Sequence, residues 1–253
     1  MRIDINSDVG ESFGAYTIGN DEALMKSVTS ASVAAGFHAG DPSVLRQTIR
    51  LAKAHGVAVG AHPGFPDLAG FGRREMHVTP ADAENFVLYQ IAAVAGVAAA
   101  EGVKLQHVKP HGALFNMAAR DSALAAAIAT AVASFDSSLI LYGLAGSQLL
   151  SAGRAAGLRV ASEVFADRAY EADGSLRSRT RPDAMIHQTA LVVSRAVRMV
   201  TERTVEAIDG TVVPLQADTI CVHGDTLGAD ALAARLRAGL GDAGIDVKSM
   251  SAA

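Results

Sequence analysis

The sequence predicts a single α/β domain, a (β/α) barrel of an irregular seven-stranded kind, and three observations carry that expectation. Seven apolar, strand-like runs recur, each followed by an Ala-rich helical pattern. Polar and ionisable residues follow nearly every run, as they do when the carboxyl ends of parallel strands surround one mouth. The fingerprints of open nucleotide-binding sheets are missing, since no G-x-G-x-x-G follows the first strand and no G-x-x-x-x-G-K-[ST] occurs anywhere.

The strand-like runs fall at 3–7, 31–35, 57–61, 105–109, 139–144, 159–163 and 219–223. Helices are expected near 20–28, 42–55, 80–101, 121–133, 146–156, 183–207 and 226–240. Three carry start signals: Asp41-Pro42, Thr79-Pro80 and Arg181-Pro182. The connections at 62–79 and 164–182 are long enough to act as lids.

With 253 residues, 50% hydrophobic, one domain over 1–253 has ample material for a large core. Aromatics are only 5% and Trp is absent, so Ala and Val must fill close helix–sheet contacts. The net charge of −4 is spread without a basic tract, which argues against nucleic acid or lipid headgroups as partners. The lone Cys221 excludes an internal disulfide and suits a reducing compartment. No leader precedes the first strand, and the longest uninterrupted apolar stretch, around 91–100, is about half of what crosses a membrane. A soluble cytoplasmic protein is the expectation.

Chemistry concentrates after the strands. The first ends in "NSDVGE", with Asn6, Asp8 and Glu11, and the second in "GFHAGD", with His38 and Asp41. The third runs into "GAHPGFPDLAGFGRREM", carrying His62, Asp67, Arg73 and Arg74. The fourth gives Lys109, His111 and Asn116, the sixth Glu163, Asp167, Arg168 and Tyr170, the seventh His223, Gly224 and Asp225. Only the fifth ends without an ionisable group beyond Tyr142. Packing does not account for this, because strand ends inside a core would leave such charges unpaired at several kcal/mol each. Asp4, Asn6 and Asp8 share strand parity and point the same way, Asp4 lowest and structural, Asp8 nearest the mouth.

Each group has a plainer alternative. A lone His after a strand is as often a hydrogen-bonded structural residue as a catalytic one, and His55, His77 and His187 receive no function. His107, within the fourth strand, reads as buried structure, and Cys221 as a small core residue. Arg73-Arg74 is either a solvated pair or an anion clamp. Asp8, His38, His62 and Glu163 offer N and O ligands for Zn²⁺ or Mn²⁺. Yet no H-x-H occurs on the first strand and no H-x-x-x-H accompanies an acid, so a transition metal stays open.

Taken together, the segments "DINSDVGESFG", "SVAAGFHAGDP", "GVAVGAHPGFPDLAGFGRREM", "VKPHGALFN", "EVFADRAYEADGSLRSR" and "CVHGDT" resemble the LamB/YcsF family, described as the A subunit of 5-oxoprolinase. They span the chain in order, and the one departure is Ile5 where the family commonly has Leu. The resemblance implies a barrel related to glycoside hydrolase and deacetylase barrels. It also implies ATP-dependent hydrolysis of 5-oxo-L-proline to L-glutamate, ATP with Mg²⁺ as counter-ion, and partner subunits B and C. On that footing the catalytic candidates are Asp8, His38, His62, Lys109, His111 and Glu163. Substrate or phosphate falls to Asn6, Glu11, Arg73, Arg74, Asp167, Arg168, His223, Gly224 and Asp225. Asp8 or Glu163 serves as base, and Mg²⁺ rests partly on Asp8 and Asp225. A stand-alone metal-dependent deacetylase or amidase, or a non-catalytic 5-oxoproline-binding subunit, is the competing expectation, and a homo-oligomer is compatible with either.

Overall fold

The computed structural model describes residues 1–224 and 228–250. Its chain order is β1 (Arg2–Val9), α1 (Asp21–Leu24), β2 (Ser30–Ala34), α2 (Pro42–His55), β3 (Ala58–His62), α3 (Pro80–Ala100), β4 (Leu105–Val108), α4 (Gly112–Ala118) and α5 (Ser122–Phe135). There follow β5 (Ile140–Leu144), α6 (Gln148–Ala155), β6 (Arg159–Val164), α7 (Thr189–Thr201), β7 (Thr204–Glu206), β8 (Val212–Pro214), β9 (Thr219–His223), α8 (Ala229–Asp242) and β10 (Asp246–Val247).

Seven parallel strands close into a barrel in the order β1-β2-β3-β4-β5-β6-β9, and β9 returns to β1 with Asp4 opposite Thr219 and Asp8 opposite His223. The expected barrel and its seven strands are therefore present. β10 adds two residues beside the start of β1, and β7–β8 form a separate antiparallel hairpin.

The helix starts follow their capping chemistry. The Asp41 side chain accepts from the backbone N–H groups of Ser43 and Val44, and Thr79 accepts from Asp82, each followed by Pro at the first helical turn. The third start signal fails. Instead of a helix over 183–207, the chain runs irregularly to Gln188, because Ile186 N–H bonds to the Asp167 carbonyl and Ala169 N–H to that of Ala184. After Thr201 the left-handed Arg203 (φ 57°) turns the chain into β7. The short α4 was also unexpected. Gly112 begins it at φ 53°, and Ala113 N–H bonds to the Gly72 carbonyl, pinning the long loop after β3.

α3 has the length and composition to cross a membrane, more than its uninterrupted apolar stretch suggested. In this fold it lies against α5 and β3, and Val87, Ile91, Val94 and Ala98 join the aliphatic core between helices and barrel. Ile3 and Ile5 of β1 belong to that core, while Asp4, Asn6 and Asp8 alternate to the inside of the barrel. The barrel interior is consequently polar. At its base, Asp4 accepts hydrogen bonds from Thr29, Ser30 and Thr219 at 2.6–2.7 Å and from Tyr142 at 3.3 Å. Above it His107 lies 3.1 Å from the Ser32 hydroxyl and stacks on Tyr142. Gly60 leaves the room for that imidazole, since a Cβ there would overlap the His107 ring.

Candidate active site

The carboxyl ends of the strands open into a cavity of about 670 Å³. Its floor is built around Lys109, the residue just after β4, which is only 2% exposed. The Lys109 Nζ sits 2.8 Å from Asp8 Oδ1 and 2.8 Å from Glu163 Oε1. It also donates to Asn6 Oδ1 and approaches Cys221 Sγ, both at 3.0 Å. The Asn6 amide in turn donates to Glu163 Oε1 and Thr219 Oγ1, both at 2.8 Å. Strands from opposite sides of the barrel are thus fastened to one ammonium group.

Electrostatics keeps this centre charged. Burial by itself would push the Lys109 ammonium down, but the Asp8 and Glu163 carboxylates raise it well above its usual range. Burial likewise favours a neutral Asp8, yet the neighbouring cationic groups, the Lys109 ammonium among them, hold its carboxyl well below the ordinary carboxylate value. Cys221 stays a thiol, because burial raises it despite the neighbouring ammonium.

Beside this centre, Glu11, His38, His62 and His111 come together from the mouths of β1 to β4, all buried. His62 Nε2 lies 3.4 Å from Asp8 Oδ1 and 2.9 Å from His111 Nδ1. Glu11 Oε1 is 3.5 Å from His111 Nδ1 and 3.8 Å from His38 Nε2, and the His38 and His111 rings stack with centroids 3.9 Å apart. Burial, followed by the neighbouring histidines, drives His38 and His111 well below the usual imidazole value, so both are neutral. Four N and O donors within 4.8 Å of one another can hold a metal cation.

The wall opposite is cationic. Arg168 is 5% exposed, donates to the Arg177 carbonyl at 2.6 Å, and its Nε has no hydrogen-bond partner among the described residues. Burial and the nearby Arg179 push it down to about 10, so it remains a cation at neutral pH. Arg73 lines the same cavity and lies over the Phe71 ring.

The expected residues divide accordingly. Asp8, Glu11, His62, Arg73, Lys109, His111, Arg168 and His223 all line the cavity. Glu163, Asn6 and His38 are fully buried and reach the site through Lys109 or the histidine group. Asp167 stands behind His223, 3.4 Å from its Nδ1, and although burial works to raise the Asp167 carboxyl, His223 together with Arg168 and Arg179 lowers it. Arg74 is absent from the lining and instead pairs with Asp67 within its own loop. Gly224 lets the end of β9 close on β1, because a Cβ there would meet the Asp8 carbonyl. Asp225 lies outside the described residues.

Residues 173–180 also line the mouth, as do Gly146 and Ser147 after β5. The sequence reading missed them as site residues. The signal for the first was the length of the loop after β6, and for the second the Gly-Ser pair at a helix start. Cys221, expected only as core, contacts the Lys109 ammonium.

The chain matches the model of the LamB/YcsF family over residues 3–253. A protein of Tolumonas auensis, named as the A subunit of 5-oxoprolinase, is 58% identical over 249 residues, 98% of this chain and 99% of that one. The crystal structure of a lactam utilization protein from Thermus thermophilus superposes with a TM-score of 0.94 at 48% identity, covering 99% and 100% of the two chains. A family 4 carbohydrate esterase from Streptomyces lividans shares the fold at a TM-score of 0.50 and 12% identity, covering 99% and 93%.

Proposed function

The chain belongs to the LamB/YcsF family, and from that premise we propose that it is the A component of a multi-subunit 5-oxoprolinase. In this reading it opens the lactam of 5-oxo-L-proline to L-glutamate at the expense of ATP. The relatives' names support the substrate class, and one observation carries the assignment to this cavity: an ammonium clamped between two carboxylates at its floor, facing a buried guanidinium.

A five-membered lactam is a resonance-stabilised amide in a ring with little strain, so its hydrolysis needs activation. Transfer of the ATP γ-phosphoryl group to the amide oxygen supplies it, with Mg²⁺ as the nucleotide's counter-ion and subunits B and C completing the complex. Water then adds to the ring carbon, and its proton passes to Asp8, which stays ionised beside the Lys109 ammonium at 2.8 Å. The carbon–nitrogen bond breaks with its electron pair on nitrogen, which takes up the proton that Asp8 accepted from water. A second water releases phosphate from the resulting acyl phosphate. Arg168 and Arg73 balance the phosphoryl charge or the substrate carboxylate. Lys109 fixes Asp8, while Glu163, fully buried, is a positioning residue that acts through Lys109.

The test is turnover of 5-oxoproline with ATP by this chain alone and with its two partner subunits. Dependence on all components is expected. Asp8→Asn should lower kcat of the assembled enzyme at least ~100-fold, the range general-base removal produces, with the fold retained by circular dichroism. Full turnover by Asp8→Asn overturns the assignment.

A further inference from the structure

The hydrogen bonds around the histidine group fix more than its shape. His62 Nδ1 lies 2.7 Å from the Lys109 carbonyl oxygen, and His111 Nε2 lies 2.8 Å from the Phe71 carbonyl oxygen. A carbonyl only accepts, so each of those ring nitrogens carries the hydrogen. The opposite nitrogens, His62 Nε2 and His111 Nδ1, then present bare lone pairs to each other at 2.9 Å. Two acceptors at that separation repel unless a positive species lies between or beside them. His38 adds to the imbalance, because neither of its ring nitrogens has a hydrogen-bond partner among the described residues although the ring is 0% exposed. A buried polar group without a partner is costly, and three imidazoles in one place multiply that cost.

We infer that Glu11, His38, His62 and His111 form a binding site for a first-row divalent cation, with Zn²⁺ the best match. Three neutral imidazole nitrogens and one carboxylate oxygen are the donor set of such sites, and the four ligand atoms already lie within 4.8 Å of one another. The outer bonds have the expected form. A ligating histidine usually gives its second N–H to a backbone carbonyl, which sets the tautomer and aims the lone pair, and His62 and His111 both do so. Glu11, His62 and His111 also line the cavity while His38 closes the site from behind, so the cation would face bound substrate. The second group of donors, Asp8, Cys221 and His223, is a poorer claimant. Its thiol is kept protonated by burial, and Asp8 is already paired with Lys109. The cation site does not depend on which amide the cavity opens, and the two can fail separately.

The measurement is metal binding by the full chain after chelator treatment and dialysis, by calorimetry with Zn²⁺ and by visible absorption with Co²⁺. One equivalent per chain is expected, with the Co²⁺ bands of a low-coordinate nitrogen and oxygen site. His38→Ala and Glu11→Gln should each weaken binding by at least ~10–100-fold, the loss that even an outer-shell change produces. His77→Asn, in the loop before α3, should leave affinity unchanged. Circular dichroism and melting temperature establish that the variants are folded. In histidine-selective ¹⁵N spectra, Zn²⁺ should shift the resonances of His62 Nε2 and His111 Nδ1. Three results would overturn the site: well under one equivalent bound, unaltered affinity in both folded ligand variants, or a proton shared by His62 and His111 that Zn²⁺ fails to displace.

Discussion

Asp4 and Asp8 lie on the same strand, four residues apart, and both point into the barrel, separated by about 13 Å of strand rise. Their surroundings differ completely. Asp4 is met by four neutral hydroxyls, and burial outweighs them, so its carboxyl is raised above the ordinary value. Asp8 is met by the Lys109 ammonium at 2.8 Å, and its carboxyl is held ionised against burial. The base of the barrel is therefore a hydrogen-bonded plug, and its mouth is a charged centre. Identical residue type, strand and facing give opposite electrostatics because the partners come from other strands.

The sharpest way to break the contrast is to remove the ammonium. Lys109→Met leaves Asp8 and Glu163 buried without their counter-charge and should cost about 3–5 kcal/mol of stability in denaturant unfolding, with turnover abolished. Adding Asp8→Asn and Glu163→Gln should recover most of the stability and none of the turnover. Recovery of both would mean that the charge is only structural. Next in size is the layer between plug and centre. Gly60→Ala drives a methyl into the His107 ring and should cost about 1–3 kcal/mol, with the loss partly reversed by His107→Ala. No effect would place His107 more loosely than its stacking on Tyr142 implies.

The smallest effect concerns the plug. The raised native pKa of Asp4 means that, above the ordinary value of 3.8, the folded protein holds more of this proton than the unfolded chain does. Stability from this group is complete below the unfolded pKa and falls as pH rises through the native one, by at most about 1.4 kcal/mol per pH unit. Asp4→Asn should remove that slope from the pH dependence of unfolding. A slope of the opposite sign, with stability rising over the same window, would make Asp4 a charged site like Asp8.

Much of this was legible in the chain. Seven strand runs, three capping signals and the alternation of Asp4, Asn6 and Asp8 were read from local pattern, and two of the three capped helices begin where the signals lie. Misreadings occurred where non-local bonds compete with local propensity. Residues 183–188 pair with the loop after β6 instead of entering a helix, and Gly112 opens a helix because its neighbour is tied to Gly72. Among the site residues, ionisable character and position after a strand marked most of the cavity lining. Glu163 was grouped with Asp8 and the histidines as a metal ligand. The fold places it against Lys109, and Glu11 and His111 complete the histidine group.

By itself the sequence determined the seven barrel strands, their parallel order and many of the side chains that face the mouth, because period-2 and period-3.6 patterning and helix caps are written in neighbouring residues. Only the tertiary structure decided who meets whom. Barrel closure brings Asn6, Asp8, Glu163 and Cys221 from three strands onto the Lys109 ammonium just past a fourth, and points His62 and His111 lone pair to lone pair. Pairings across 49 to 157 residues are set by strand register and by backbone carbonyls that no local pattern encodes. Those pairings, not the residue types, separate a hydroxyl-lined plug from a charged site.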